Sequence, residues 1–355
     1  MPSLDLMKPK HQPSGLRRRL SGLIGPVAIA GLLLFGSGLR AQEASMPLTD
    51  WLHEVQQAPL RHTYQGTLVI HVGSQVVSAR VTHAMKGDLA VERVDVLSGE
   101  PRTSFRYGDQ VITIWPDSKR WVSEERQDLG LFSGLSSSPL QSMTQYYNLR
   151  GVGADRMAGR DARVFEILPT DDLRWGYRIW RDAQTGLVLK MQTLSVDAER
   201  VLEQSVFSEL NTEINIDADA IVQAMKPPAG FVTDIHEVQT VDPADWGLQL
   251  HAQPWGFYPT GAQLRKGQRQ PLPQRPLQWA FSDGLASVSV FYEPAEAPFN
   301  EPVARAIRQG ATHTLVREGG AARLTLVGEV PLRTLQRMAD AFNLELQENV
   351  PNLKK

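Results

Sequence analysis

The sequence predicts an α+β protein that is mostly antiparallel β-sheet, divided into a large domain and a smaller C-terminal domain. Three observations lead to this prediction. Short stretches rich in β-branched and aromatic residues alternate between apolar and polar positions, with Gly, Asp, Ser or Pro between them. Helical periodicity is confined to a few short segments. The 355 residues include no cysteine, so burial alone must hold each domain together.

The first 41 residues are predicted to be an export signal. Arg17, Arg18 and Arg19 form a basic region, residues 20–39 are apolar with interrupting glycines and a proline, and Ala41 precedes a polar stretch. This order is typical of a secretory signal peptide, with cleavage expected after Ala41. A retained anchor is the alternative, because about 20 apolar residues can span a bilayer. The paired arginines also leave twin-arginine export open.

The large domain is expected to span residues 46–212 and to begin with a helix. Residues 49–58 carry an apolar face, Thr49 or Asp50 can cap the helix, and Pro59 ends it. Strands are predicted at residues 64–72, 75–83, 89–97, 103–107, 110–115, 119–124, 148–153, 155–157, 163–169, 175–180, 188–194 and 201–210. A long antiparallel sheet curls as its strands twist, which predicts a half-open barrel with a helical plug. Such a concave sheet often holds an apolar ligand.

Residues 213–245 are predicted to be a linker with one short helix. Asp217 or Asp219 can cap this helix, and the pair Pro227-Pro228 ends it. A flexible connection of this kind would allow the two domains to reorient.

The small domain is expected to span residues 246–348, followed by a polar tail at 349–355. Its start is interpreted as a loop at 254–259 and a basic, proline-containing segment at 261–276. One predicted hairpin covers residues 278–293, with a Ser-Asp-Gly turn signal, and another pairs 312–317 with 323–330. An amphipathic helix at 331–342, with proline in its first turn, closes the domain.

Composition and spacing exclude several chemistries. Without cysteine there can be no thiol catalysis, cysteine-based zinc site or iron–sulfur cluster. The eight histidines lack metal-binding spacing, and no G-x-S-x-G turn marks a serine nucleophile. The pairs Asp171-Asp172 and Glu124-Glu125 are interpreted as solvated surface, because adjacent strand residues point to opposite faces. A net charge of −2 argues against a dedicated nucleic-acid binder. We therefore predict a binding protein, with no enzymatic activity, cofactor or metal.

Several short motifs occur in the order found in a known family. They are YQGTLV at 64–69, WPDS at 115–118, YRIWRD at 177–182, TGLVLK at 185–190, QWAFSDGLASVSVF at 278–291 and VGEVP at 327–331. Each motif alone is weak, but their order is specific. Together they resemble the RseB/MucB family of exported regulators of an envelope-stress sigma factor, over nearly the whole mature chain.

This resemblance implies a fold, a location and a partner. The large domain would resemble the lipoprotein carrier LolA, an incomplete β-barrel around helices. The protein would bind the periplasmic part of a membrane-spanning anti-sigma factor of RseA/MucA type and shield it from regulated proteolysis. Lipopolysaccharide or lipoprotein acyl chains would relieve that binding, and homo-oligomerisation stays open. The alternative is a periplasmic lipid or lipoprotein carrier of LolA type, against which the additional C-terminal domain argues.

Two groups of residues are candidates for these interactions. The basic stretch from Arg265 to Arg275 is either a solvated loop or an electrostatic contact with an acidic partner segment or a lipid phosphate. The candidate partner-binding residues are Arg265, Lys266, Arg269, Trp279, Ser282, Asp283 and Gly284. Four tryptophans on predicted strands either pack within the sheet or line a lipid-accepting concavity. They are Trp115, Trp121, Trp175 and Trp180.

Overall fold

The structure is a computed structural model that describes most of the expected mature chain. The described residues are 46–125, 143–246, 248–252, 255–265, 276–295, 299, 303–320 and 322–342. The predicted signal peptide, the polar tail, Lys266 and Arg269 lie outside them. In the part of the chain that is described, no helix is both long and apolar enough to cross a membrane.

The first part of the chain forms a twelve-stranded sheet, called here the large sheet. Its strands are β1 (Tyr64–Val72), β2 (Gln75–Lys86), β3 (Leu89–Val96), β4 (Thr103–Tyr107), β5 (Gln110–Trp115), β6 (Arg120–Glu125), β7 (Tyr147–Met157), β8 (Arg160–Pro169), β9 (Gly176–Asp182), β10 (Val188–Leu194), β11 (Val201–Asn211) and β12 (Val232–His236). Their order is β12-β6-β5-β4-β3-β2-β1-β11-β10-β9-β8-β7. All neighbours are antiparallel except β12 and β6. Because β12 and β7 do not pair with each other, the sheet is not closed, as predicted.

The large sheet consists of two meanders joined where β1 pairs with β11. A bulge between Thr67 and Leu68 shifts the register of this pair. Gly66 lies at the joint because the two chains approach closely there. A Cβ atom at Gly66 would lie 2.6 Å from the carbonyl oxygen of Glu209 and 2.8 Å from the ring of Phe207. Any larger residue would therefore push β1 and β11 apart.

Helix α1 (Leu48–Leu60) packs its apolar face on the large sheet. Trp51, Leu52 and Val55 are buried there against residues of β7 to β10. The capping prediction is wrong: Pro47 occupies the N-cap position, and neither Thr49 nor Asp50 provides a side-chain cap. Pro59 lies inside the last turn, and the helix ends one residue later. Packing of the apolar face thus fixes this helix without a polar cap.

The segment predicted as a linker contains the predicted short helix and also a strand of the large sheet, which was not predicted. Helix α2 (Ala218–Ala224) begins at Asp217, whose carboxylate accepts the amide N–H of Ala220 at 3.1 Å. Ile221 and Met225 are buried against residues of β3 to β6. Strand β12 then extends the sheet along β6, from Val232↔Arg120 to His236↔Glu124.

A second sheet of seven strands follows directly. Its strands are β13 (Val238–Thr240), β14 (Tyr258–Arg265), β15 (Leu277–Ser282), β16 (Ser287–Pro294), β17 (Val303–Gln309), β18 (Thr312–Gly319) and β19 (Ala322–Gly328). Their order is β13-β14-β15-β16-β19-β18-β17. Only Glu237 separates β12 from β13, so residues 232–240 form the edge of both sheets in one extended strap.

Both predicted hairpins of the small domain are present, as β15–β16 and β18–β19. Three strands of the second sheet were missed: β13, which lies in the predicted linker, β14 and β17. Strand β14 was interpreted as loop and basic segment, because Pro259 and Gly261 interrupt its pattern. A register shift between these two residues accommodates them. Strand β17 carries Ala and Arg at most positions, which gives little strand signal.

Helix α3 (Leu332–Asp340) covers one face of the second sheet. Leu335, Met338 and Ala339 pack there in a continuous apolar core with inward residues of β15, β16, β18 and β19. The opposite face alternates with these residues and is partly exposed, as at Ser289 and Phe291 of β16. Sequence periodicity predicted this helix and its core face.

We expect Gly66→Ala to lower the free energy of unfolding by about 1–3 kcal/mol, because the new methyl group must displace the β11 backbone. Urea denaturation followed by circular dichroism measures the change. Gly73→Asn is the matched control, since Gly73 lies in an open turn at φ +59° that asparagine tolerates. Equal stability losses in the two variants would contradict the close-approach explanation.

Candidate interaction site between the two sheets

The turn between β15 and β16 is fixed by its own side chains. Asp283 Oδ1 accepts the amide N–H groups of Leu285 at 3.0 Å and Ala286 at 2.8 Å. The Ser282 hydroxyl donates to the carbonyl of Ala286 at 3.1 Å and accepts the amide of Gly284 at 3.0 Å. This pattern is the polar-turn chemistry that Asp and Ser favour. It leaves Asp283 Oδ2 free to bind outside the turn.

A buried arginine from the connection between β8 and β9 meets this carboxylate. Arg174 and Asp283 are both 0% exposed, and Arg174 Nε donates to Asp283 Oδ2 at 2.6 Å. The guanidinium also donates to Asp171 and, at 2.6 Å, to the carbonyl of Trp255. Its plane lies over aromatic rings, 4.1 Å from the centroid of Tyr146 and 4.9 Å from that of Phe257. Every side of the charge is therefore occupied, as a buried cation requires.

Tyr147 completes this buried cluster. Its hydroxyl donates to Asp283 Oδ2 at 2.9 Å. Burial and the negative charge of Asp283 hold the pKa of the Tyr147 hydroxyl well above its usual value, so it remains a donor. Leu285 packs in the apolar core under α1, and Gly284 leaves room for Met143. The second sheet thus inserts a turn into the core of the large one.

A second set of contacts joins the β17–β18 turn to the large sheet. Ala311 donates its N–H to Glu203 Oε1 at 2.8 Å, and its carbonyl accepts the indole N–H of Trp175 at 2.9 Å. Thr334 of α3 also donates to the carbonyl of Leu173 at 2.7 Å. Burial raises the pKa of the Glu203 carboxyl, although the amide of Ala311 opposes the shift. This contact is therefore sensitive to protonation.

A groove of about 470 Å³ lies beside these contacts, on the face of the second sheet opposite α3. Its lining combines apolar side chains, serine and threonine hydroxyls and one carboxylate. The lining residues are Leu285, Ala286, Ser287, Ser289, Phe291, Thr312, Val327, Gly328 and Glu329. Among the described residues, no group of three or more His, Cys, Asp or Glu could hold a metal ion. The arrangement is suited to binding.

The predicted partner-binding residues have different locations. Ser282, Asp283 and Gly284 are buried between the two sheets, where they contact this chain. Trp279 is half-buried and packs 5.0 Å from the ring of Phe281 in the second core. Arg265 is the last residue of β14, while Lys266 and Arg269 lie outside the described residues. A partner contact at these seven positions stays a prediction.

The four tryptophans all have partners within the chain. Trp121 donates its indole N–H to the carbonyl of Met225 at 2.8 Å, and Trp180 donates to Asp155 at 2.7 Å. Trp175 binds the β17–β18 turn as described above. Trp115 is half-buried, with the guanidinium of Arg120 5.4 Å from its ring centroid. Contacts within the chain account for the positions of these four tryptophans, and lipid contact stays a prediction.

Sequence reasoning missed Arg174, the centre of the cluster. It also interpreted Asp171 as solvated surface, whereas this residue pairs with the buried Arg174; its neighbour Asp172 forms an exposed pair with Arg333. The available signal was a single arginine inside the apolar run from Leu173 to Gly176, where a charge needs a partner. Nothing in the sequence identified Asp283, 109 residues away, as that partner.

Comparison with known proteins gives matches over both parts of the chain. Residues 47–225 match the MucB/RseB N-terminal domain, and residues 242–343 match the MucB/RseB C-terminal domain. The sigma factor AlgU regulatory protein MucB of Pseudomonas aeruginosa is 31% identical over 321 residues, 87% of this chain and 95% of that protein. The sigma-E factor regulatory protein RseB of Escherichia coli is 24% identical over 317 residues, 88% of this chain and 94% of that protein.

Solved structures give the same result. MucB in the MucA/MucB complex of Pseudomonas aeruginosa has a TM-score of 0.64 and 26% identity, covering 83% of this chain and 98% of that one. MucB in complex with MucA(peri) has a TM-score of 0.62 at the same identity and coverage. Because 83% of this chain is covered, the structural similarity includes both sheets.

We expect Arg174→Met to lower the free energy of unfolding by about 3–5 kcal/mol, because Asp283 would remain buried without its counter-charge. The double variant Arg174→Met/Asp283→Leu should cost less than the two single changes together. Chemical denaturation of all three provides the test. The control is Arg323→Met, whose ion pair with Glu318 is exposed and should change stability by at most about 1 kcal/mol. Similar losses for Arg174→Met and Arg323→Met would contradict the role of the buried pair.

The raised pKa of Glu203 predicts a pH dependence. The stability due to its protonated form is complete below the unfolded-state pKa and is lost as pH rises through the higher folded-state value. Glu203→Gln keeps an oxygen acceptor for Ala311 but cannot ionise. We therefore expect unfolding free energies measured from pH 4.5 to 7.5 to fall more steeply for the wild type than for Glu203→Gln. Glu199→Gln is the control, because Glu199 is exposed on a turn and its variant should show the pH dependence of the wild type. If the unfolding free energy of Glu203→Gln changes with pH as much as that of the wild type, Glu203 is not the titrating group.

Proposed function

Because the chain belongs to the MucB/RseB family, we propose that it regulates a sigma factor by binding the periplasmic segment of a membrane anti-sigma factor. The observation that supports this most directly is the likeness to MucB in its complexes with MucA, which spans both sheets. The sequence features of export support a periplasmic location. The protein would act by occupying the segment, with no chemical step.

Binding can restrain a sigma factor by masking. A protease needs access to an extended stretch of its substrate, and a bound segment is withheld from it for as long as the complex lasts. The groove, with apolar side chains among hydroxyl groups and a carboxylate, offers the mixed chemistry that protein interfaces use. The anti-sigma factor would then persist, and the sigma factor would stay inactive.

Lipid-bearing molecules are proposed as the release signal. A ligand shifts an equilibrium only by its differential affinity for two states, so the lipid must bind the partner-free protein more tightly. A ~100-fold difference corresponds to ~2.7 kcal/mol, within the usual range of allosteric coupling. The contacts between the two sheets are the physical link through which binding at one domain can influence the other.

The function is tested by titrating purified mature protein with the periplasmic region of the host's anti-sigma factor. Isothermal calorimetry should show saturable binding, and added lipopolysaccharide should weaken it. The periplasmic region of an unrelated membrane protein, of similar length and charge, is the control. If no binding occurs while acyl chains still bind, the protein is a lipid carrier and the regulatory proposal fails. If the affinity for the anti-sigma factor's periplasmic region is the same with and without lipid, the proposed release by lipid fails and the proposed binding function stands.

A further inference from the structure

Strand β17 is an open edge of the second sheet. It is last in the strand order, and no described strand pairs with its outer side. Six of its seven residues are exposed, including Ile307 at 69%. Open edges present unpaired backbone groups, and proteins usually cover, shorten or interrupt them. Among the described residues no strand covers the outer side of β17 and no bulge interrupts it, and the edge protection it carries is the charge of Arg305 and Arg308.

The register shows which backbone groups point outward. Gly310, at φ +60°, and Ala311 form a two-residue turn, so the flanking pair Gln309↔Thr312 is hydrogen-bonded. Hydrogen-bonded and open positions alternate along an antiparallel strand. The N–H and C=O groups of Ala304, Ala306 and Arg308 therefore face away from β18. These three residues, at every second position of the strand, offer the backbone groups to which another strand can hydrogen-bond.

The side chains of β17 favour an acidic partner. Arg305 lies on the same face as Ile307, and Arg308 lies on the other face. Neither arginine forms an ion pair with a carboxylate in the described chain, and Arg308 only donates to the carbonyl of Gly310 at 2.9 Å. Residues 303–309 contain no acidic side chain. A strand added to β17 would complement it if its carboxylates lay beside Arg305 and Arg308 and an apolar residue lay beside Ile307.

We propose that β17 receives an extended, acidic segment of the anti-sigma factor by strand addition. This inference rests on the proposed function and identifies where the partner binds. A second copy of the chain fits less well, because it would bring four arginines onto two adjacent strands without a carboxylate between them. An acidic segment instead gains main-chain hydrogen bonds and charge complementarity together.

The location also links partner binding to the large sheet. The turn that ends β17 is the one whose Ala311 contacts Glu203 and Trp175. A strand added to β17 would stiffen the hairpin that carries this turn. The partner would therefore favour the arrangement in which the two sheets are joined.

The test compares the affinity of β17 variants for the periplasmic region of the host's anti-sigma factor. Ala306→Pro removes an outward N–H but no hydrogen bond to β18, and we expect it to weaken binding at least about tenfold. Ala306→Ser keeps the N–H and should bind as the wild type does. The double variant Arg305→Glu/Arg308→Glu should also weaken binding. Its loss of affinity should be larger at low salt than at high salt, because salt screens the charge repulsion. Arg102→Glu, an exposed reversal on the large sheet, is the charge control.

Circular dichroism and thermal unfolding of each variant confirm that it is folded before its affinity is interpreted. Wild-type binding that Ala306→Pro and the double reversal leave unchanged would overturn the β17 site and keep the proposed function. Absence of wild-type binding would overturn both. Loss of a wild-type dimer in Ala306→Pro, with partner affinity unchanged, would identify a second copy as the occupant and overturn the acidic-segment proposal.

Discussion

The arrangement of the two sheets depends on one buried charge. A guanidinium without water costs several kcal/mol, and that cost is offset only if its hydrogen bonds and counter-charge are all in place. Arg174 meets this condition only when the turn containing Asp283 is seated in the large domain, because the carboxylate and the Trp255 carbonyl come from the second domain. The contact therefore has little tolerance for intermediate positions. It favours either full docking or full separation.

Other features of the interface follow from this constraint. The serine and aspartate of the turn bind their own backbone, which holds the carboxylate in one orientation before it meets the arginine. Leu285 enters the core under α1 as the turn docks, so apolar burial contributes alongside the charge pair. The Ala311 contacts form beside this pair, with Trp175 next to Arg174 and with Glu203 of β11. The contacts of Leu173, Arg174 and Trp175 with three segments of the second domain together hold its orientation more firmly than one contact would.

The sequence predicted features that depend on local chemistry. Hairpins with strong turn residues and the amphipathic helix at the C-terminal end were correct, because their signals lie within a few residues. Strands β14 and β17 were missed because tertiary pairing overrode weak local preference. The helix predicted inside the linker is present as α2, with Ile221 and Met225 on its buried face, whereas β12 was missed because it pairs with β6, which is distant in the sequence. The pairing of Arg174 with Asp283 is equally non-local. Without the resemblance to a known family, the partner could not have been inferred.

The shared strap at residues 232–240 has a mechanical consequence. A chain that serves as the edge of two sheets has no slack, since each of its ends is held by a ladder of backbone hydrogen bonds. Tension applied to one sheet would pass along the strap to the other through the one residue between the two ladders, Glu237. Separation of the two sheets at the Arg174 contact would therefore bend the chain at Glu237, between β12 and β13.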